Sequence, residues 1–210
     1  MAIFNFFKSR EVIGGDIAYH NLTEWWITTF TKQERDYIVE TFQPLGGSGI
    51  RLIKGDIQYC SGSAVSLLSS LARWFKNEKD RKIGYKLLDK GEELINTKTR
   101  LLDIHFFYQN KLEFYYRFRD IDQGALNVAI EACKRQIDIS DKASLAFKKE
   151  YKDEALPIHV GYKQLAIILE KHKKYNEVIV LCEQAKNQEW NGEWNKIIAR
   201  CNKKIFKENI

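Results

Sequence analysis

From Ser61 onward, apolar residues recur at intervals of three and four, with polar residues on the faces between, the period of an amphipathic helix. The pattern predicts helices over 63–77, 80–95, 98–118, 123–138, 141–152, 158–172, 174–187 and 191–206. Short polar turns ("NEKD", "NTKT", "RDID", "KK", "NQEWNG") separate them. Helices on connections this short pack antiparallel to their neighbours. With only Pro44 and Pro157 in the chain, few positions can break a helix. An all-α domain over 61–210 is expected.

The first sixty residues lack this period. "NLTEWWITTF" predicts a short helix, with Asn21 or Thr23 as its cap and Trp25 and Trp26 as its anchors. "TKQERDYIVETF" predicts another. Thr31 and Glu34 have the spacing of a capping box, in which each side chain satisfies the other residue's exposed amide; Tyr37, Ile38 and Phe42 then share a face. "EVI" (11–13) predicts a short strand, and "IRLI" and "IQY", divided by Lys54-Gly55-Asp56, predict a small hairpin. Gly46, Gly47 and Gly49 do not make a phosphate loop: a helix precedes them and a strand-like run follows, the reverse of the order such a loop requires. Residues 1–60 are expected to form a small irregular α/β cap that closes the helical domain or carries a site of its own.

Composition narrows the function. The 210 residues are 44% hydrophobic and 30% charged, so a full core can be buried without disulfide staples. The net charge of +6, at a pI near 9.0, favours acidic partners. Cys60, Cys133, Cys182 and Cys201 form no CxxC pair and have no zinc-like spacing, so they read as small buried hydrophobes in a reducing compartment. The opening "MAIFNFFKSREVIGG" has its cations after its apolar run, unlike a signal peptide. Ile3, Phe4, Phe6 and Phe7, beside Lys8 and Arg10, are expected to pack on the domain or a partner, with contact to a membrane surface the less favoured alternative. No apolar stretch approaches the ~20 residues of a membrane span. A cytoplasmic protein is expected.

Candidate chemistry is sparse. His20, His105, His159 and His172 have no metal-ligand spacing, and no nucleophile, kinase or cofactor motif occurs, so no metal, no cofactor and no enzymatic activity are expected. Carboxylates cluster in runs such as "DKGEE", read as solvated helix faces. The aromatic run "HFFYQNKLEFYYRFRD" carries more rings than one neighbour can bury, so its helix is expected to be central and surrounded, or to line a groove in part.

In 159–192, Tyr162, Leu165, Ala166 and Leu169 on one helix, and Tyr175, Val178, Cys182 and Ala185 on the next, fall where the tetratricopeptide repeat alternates large and small residues. This hairpin resembles that family, with Trp190 where the family prefers proline. Upstream, a unit from Val65 carries Leu68, Leu71, Ala72 and Phe75, then Gly84, Leu88 and Gly91. A unit from Phe106 carries Leu112 and Tyr116, then Ala125, Ala129 and Ala132, and departs from the pattern at Glu113. "DKASLAFKKEYKDEAL" enlarges the spacing before the last unit, and "NGEWNKIIARCNKKIF" closes the array. The resemblance covers about 62–206 and implies a right-handed stack of antiparallel hairpins whose first helices line a concave groove. It places Arg73, Lys76, Asn77, Asn110, Phe114, Arg117, Phe118, Lys163, Glu170 and Lys171 in that groove. Cations and amides there suit carboxylates and peptide backbone, and phenylalanines offer an apolar anchor. The expected function is a scaffold that binds an acidic protein or peptide segment. The alternatives are a sensor of peptides or small ligands, as in bacterial helical-repeat regulators, and, less favoured, a nucleic-acid binder or an unrecognised enzyme.

Overall fold

The structure is a computed structural model in which residues 12–152 and 154–208 are described. The chain divides into two compact units, Met1–Ser63 and Ala64–Ile210. Among the described residues it is all-helical, with eleven α-helices and no strand.

The first unit contains α1 (Gly15–Tyr19), α2 (Thr23–Thr29) and α3 (Lys32–Thr41), followed by a 3-10 turn (Gly49–Leu52). Ile17, Leu22, Trp26, Phe30, Ile38 and Leu52 form its buried centre. Trp26 meets Phe30 edge-on, with ring centroids 5.2 Å apart. The capping box forms: the Glu34 amide donates to Thr31 Oγ1 (3.2 Å) and the Thr31 amide donates to Glu34 Oε2 (2.8 Å). The cap expected for α2 does not form; its N-cap is Leu22, which has no capping side chain.

The hairpin expected over residues 50–59 is also absent. Ser48 Oγ accepts from the Ile50 amide, and the chain winds into the 3-10 turn. Gly49 lies where an added Cβ would stand 1.9 Å from the Val39 carbonyl oxygen, so the backbone itself closes onto α3. The carbonyls of Ile53 and Gly55 accept from the Gly14 and Gly15 amides (both 2.8 Å) and are therefore occupied by a corner, where a sheet partner would otherwise stand. Of the expected strand at 11–13, Val12 and Ile13 carry no regular structure, and Glu11 lies outside the described residues, as does the arm with Ile3, Phe4, Phe6 and Phe7.

The second unit runs α4 (Ala64–Ala72), a 3-10 turn (Glu78–Asp80), α5 (Arg81–Glu93), α6 (Leu101–Arg117), α7 (Ala125–Asp138), α8 (Ser140–Glu150), α9 (Val160–Lys171), α10 (Tyr175–Asn187) and α11 (Trp194–Glu208). Consecutive helices pack in pairs: α4 with α5, α6 with α7, α9 with α10, and α10 with α11. α6 also lies against α4 and α8, and α7 against α9. The aromatic run is therefore central: Phe107, Phe114, Tyr115 and Phe118 are buried.

Glycines make room for these rings. A Cβ at Gly84 would stand 2.0 Å from the Phe114 ring, and one at Gly91 would stand 2.6 Å from Phe107, so α5 meets α6 through positions without side chains. Small residues act in the same way further on, where Ala129, Ala132, Cys133, Cys182 and Ala185 are fully or almost fully buried. The segment between the second and third hairpins folds as α8, which sends Ala143 and Phe147 into the core around Tyr162 and Trp190.

Candidate functional site

α6 ends in the sequence Tyr116-Arg117 and is followed by Phe118 and Arg119. Phe114 and Phe118 turn inward onto Tyr85, and this leaves Glu113, Tyr116 and Arg117 on the outer face. A cleft of about 500 Å³ opens there, lined by Lys76, Glu113, Phe114, Tyr116, Arg117, Arg119 and Gln164. Lys76 follows Phe75, a fully buried anchor three residues beyond the end of α4. Gln164 comes from α9. The cleft thus collects residues from, or directly after, α4, α6 and α9.

Its electrostatics are mostly positive. The Arg119 guanidinium lies over the Tyr116 ring, 4.3 Å from its centroid, donates Nη1 to the Tyr116 carbonyl (2.9 Å) and pairs with Asp120 (3.1 Å). Its plane is held by stacking and two partners, an arrangement that preorganises a donor. Arg117 and Lys76 are exposed and form no ion pair among the described residues. The Gln164 amide nitrogen is buried in the cleft wall without a hydrogen-bond partner. Two unpaired cations, Lys76 and Arg117, and an unused N–H donor therefore stand with one lining carboxylate, Glu113, while Arg119 is paired with Asp120. The set can receive a carboxylate or a peptide carbonyl, and Glu113 can accept a backbone N–H from the same segment.

The cleft brings together three of the residues expected in a groove, Lys76, Phe114 and Arg117. Phe114, 4% exposed, supplies only floor, and Phe118 at 2% is core, so the apolar anchor expected from the phenylalanines is not offered. Asn110 ties α6 to α4 by donating to Ser69 Oγ (3.3 Å). Arg73 is exposed outside the lining. Asn77 donates to Asp80 at 3.4 Å where the 3-10 turn begins. Lys163 and Lys171 are exposed on α9, also outside the lining. Glu170 is engaged elsewhere: it accepts from Arg200 Nε (2.7 Å), Arg200 Nη2 (2.8 Å) and Lys204 Nζ (2.9 Å) of α11, which hold its carboxyl down to about 2. Glu113, Tyr116, Arg119 and Gln164 were not anticipated. Gln164 lies one residue beyond Lys163, about 100° further round α9, so it stands on a different face from the one the repeat frame assigns to the groove.

A second feature is a buried ring cluster of His105, Phe147, His159, Tyr162 and Trp190. His105 stacks on Trp190 (5.5 Å, 10°), and His159 meets both His105 (5.1 Å) and Trp190 (4.8 Å) edge-on. His159 Nδ1 accepts from the Tyr162 amide and so caps α9. The Gly161 amide donates to Gln136 Oε1 (2.8 Å), which fixes that amide's orientation. Gln136 Nε2 then donates to His105 Nε2 (3.2 Å). Each imidazole therefore carries its proton on the other nitrogen, His105 Nδ1 and His159 Nε2, and both are buried without partners. Burial pushes His105 down to about 4. Burial, and then the charge of His105, push His159 down to about 3. Among the described residues no three His, Cys, Asp or Glu side chains converge as a metal ligand set, and no helix is long and apolar enough to cross a membrane.

Comparison of the chain with family models, with curated proteins and with solved structures finds no match.

Proposed function

We propose that residues 64–208 form a tetratricopeptide-like, right-handed stack of helical hairpins that binds an acidic peptide segment in the cleft beside α6, without turnover. The observation that carries this is the convergence of Lys76, Arg117 and Arg119 with the unpartnered Gln164 amide in one cleft, contributed by the leading helix of each of three successive pairs or by the residues directly after it. Pairwise packing and glycine-mediated contact between α5 and α6 support the stack. Fixed side-chain donors and a lone acceptor suit an extended chain bearing carboxylates.

The test is fluorescence anisotropy with labelled Asp/Glu-rich peptides and their Lys-rich counterparts. Acidic peptides bind and basic ones do not. Arg117→Glu weakens binding about tenfold or more, the equivalent of one lost charge-assisted contact. Arg73→Glu, outside the cleft, leaves it unchanged. Equal loss in both variants, or none in either, removes the cleft as the site.

A further inference from the structure

A second charged surface lies on α11. Its inner stripe, Trp194, Ile197, Ile198, Cys201 and Ile205, packs into the core with α10. Its outer stripe carries cations at four consecutive helical contact positions: Lys196, Arg200, Lys203 and Lys207. Between the last two stands Phe206, 68% exposed.

The turn between α9 and α10 is brought against the end of this helix. Lys173 pairs with Glu208 (3.3 Å), Lys204 lies over the Tyr175 ring at 5.6 Å, and Arg200 clamps Glu170 at 2.7 Å. That turn adds exposed Lys171, Lys173 and Lys174 to the same end of the unit. Residues 170–177 and 193–208 together hold eight lysines and arginines and four glutamates, so four of the chain's six net positive charges concentrate here. Most of the carboxylates are consumed locally: Glu170 by Arg200 and Lys204, Glu193 by Lys196, Glu208 by Lys173. Lys171, Lys203 and Lys207 form no ion pair among the described residues.

We propose that this face docks on an anionic lipid surface, with Phe206 entering the headgroup layer and the lysines around it meeting lipid phosphates and carboxylates. Two observations favour a bilayer over a nucleic acid. The single arginine of the patch has its Nε/Nη2 edge committed to Glu170, and the unpaired cations Lys171, Lys203 and Lys207 are lysines, which act as flexible point charges. Phe206 and His172 are also the exposed rings of the patch, on different elements, in place of the succession of rings on which bases stack. An exposed phenylalanine among lysines on the outer face of a helix fits the interfacial layer of an anionic membrane. The surface is separate from the α6 cleft and stands or falls independently of it.

The experiment is co-sedimentation of the full chain with phosphatidylserine-rich and with pure phosphatidylcholine vesicles. The chain sediments with the former only and is released as ionic strength approaches about 1 M, where the screening length falls to about 3 Å. Lys203→Glu/Lys207→Glu weakens the association at least about tenfold, and Phe206→Ala several-fold, since each lysine near an anionic surface and each buried apolar group adds to binding. Unchanged circular dichroism shows that these exposed substitutions leave the fold intact. Arg117→Glu sediments like the parent, which separates this surface from the peptide cleft. No sedimentation, sedimentation indifferent to the lysine reversal or to Phe206→Ala, or binding to a labelled oligonucleotide in place of vesicles overturns the proposal.

Discussion

The buried histidine pair should make the second unit labile to mild acid. His105 and His159 are folded as neutral rings with values near 4 and 3, against an ordinary 6.5 in the unfolded chain. Both folded values are depressed, so the unfolded state binds protons first. Stability is then fully present above about pH 6.5, falls as pH drops below it, and stops falling only below the folded values. Linkage gives a loss of roughly 2 kcal/mol for each histidine between about pH 7 and pH 5, roughly 4 kcal/mol together. That is a large share of the ~5–15 kcal/mol that holds a domain. The surrounding rings, Phe106, Phe147, Tyr162 and Trp190, carry no charge that could accommodate an imidazolium. Carboxylates do not account for this window, because Glu170, Asp122 and Glu193 are lowered and affect stability only at more acid pH.

The assay is a series of urea unfolding curves from about pH 8 to pH 5, with His105→Gln and His159→Asn alongside the parent. Asparagine keeps an oxygen to cap α9, and glutamine keeps a polar partner for Gln136. Each variant loses ring stacking on Trp190 and is less stable near neutrality by about 1–3 kcal/mol. Each should show a clearly smaller slope against pH than the parent, since one of the two buried histidines of the second unit is gone while His20, also lowered by burial, remains. A parent whose stability is flat from about pH 7 to pH 5, or variants that keep its full slope, refutes the neutral buried pair. Imidazole NMR resonances give the same answer without a variant: two of them should not titrate until well below the ordinary histidine range.

Other perturbations test the packing. Gly84→Ala gains about 1 kcal/mol of helix propensity but pushes a methyl into the Phe114 ring, and such overpacking costs about 1–3 kcal/mol; a net loss of thermal stability is expected, relieved by adding Phe114→Leu, whereas a stabilised single variant would show that α5 and α6 do not meet as described. Glu170→Gln unties α11 from α9 and should cost about 1–2 kcal/mol, the lower part of the range for charged hydrogen bonds because Arg200 and Lys204 are about half exposed. Hydrogen exchange should quicken in α11 before the rest of the unit, and uniform acceleration would count against a local latch. Because the Glu170 carboxyl is held near 2, its contribution is present above the ordinary carboxylate range and is lost only as pH falls toward that value.

The helices of the second unit were legible because their periodicity is local. In α5, Ile83, Gly84, Leu87, Leu88 and Gly91 recur at helical intervals and all are buried. The run "IRLI" does not form a strand for a physical reason: β-branched residues mark a strand only if their backbone groups find a ladder, and here the Ile50 carbonyl accepts from the Ile53 and Lys54 amides within the turn while the Gly14 amide, about forty residues earlier in the chain, takes the Ile53 carbonyl. Phe114 and Phe118 show the limit in the helical unit. A repeat frame gives the direction of a side chain from its helix, but depth depends on what lies opposite. Opposite Phe114 is Gly84, thirty residues upstream, and its missing side chain draws the ring down to become floor.

Glu170 extends the same point to the end of the array. In the proposed repeat frame it would face the groove. The closing helix α11 brings Arg200 and Lys204 onto it, and the carboxylate becomes a tie between elements. That tie has two consequences for charge. It removes an acid, which would repel an acidic peptide, from the row led by Lys76 and Arg117. It also fixes α11 at a rotation that buries Cys201 against α10 and leaves Lys203, Phe206 and Lys207 outward. One side-chain cluster therefore shapes both candidate surfaces. If Glu170→Gln frees α11, vesicle binding should weaken together with the helix's protection from exchange, whereas peptide binding at the α6 cleft, which α11 does not line, should persist.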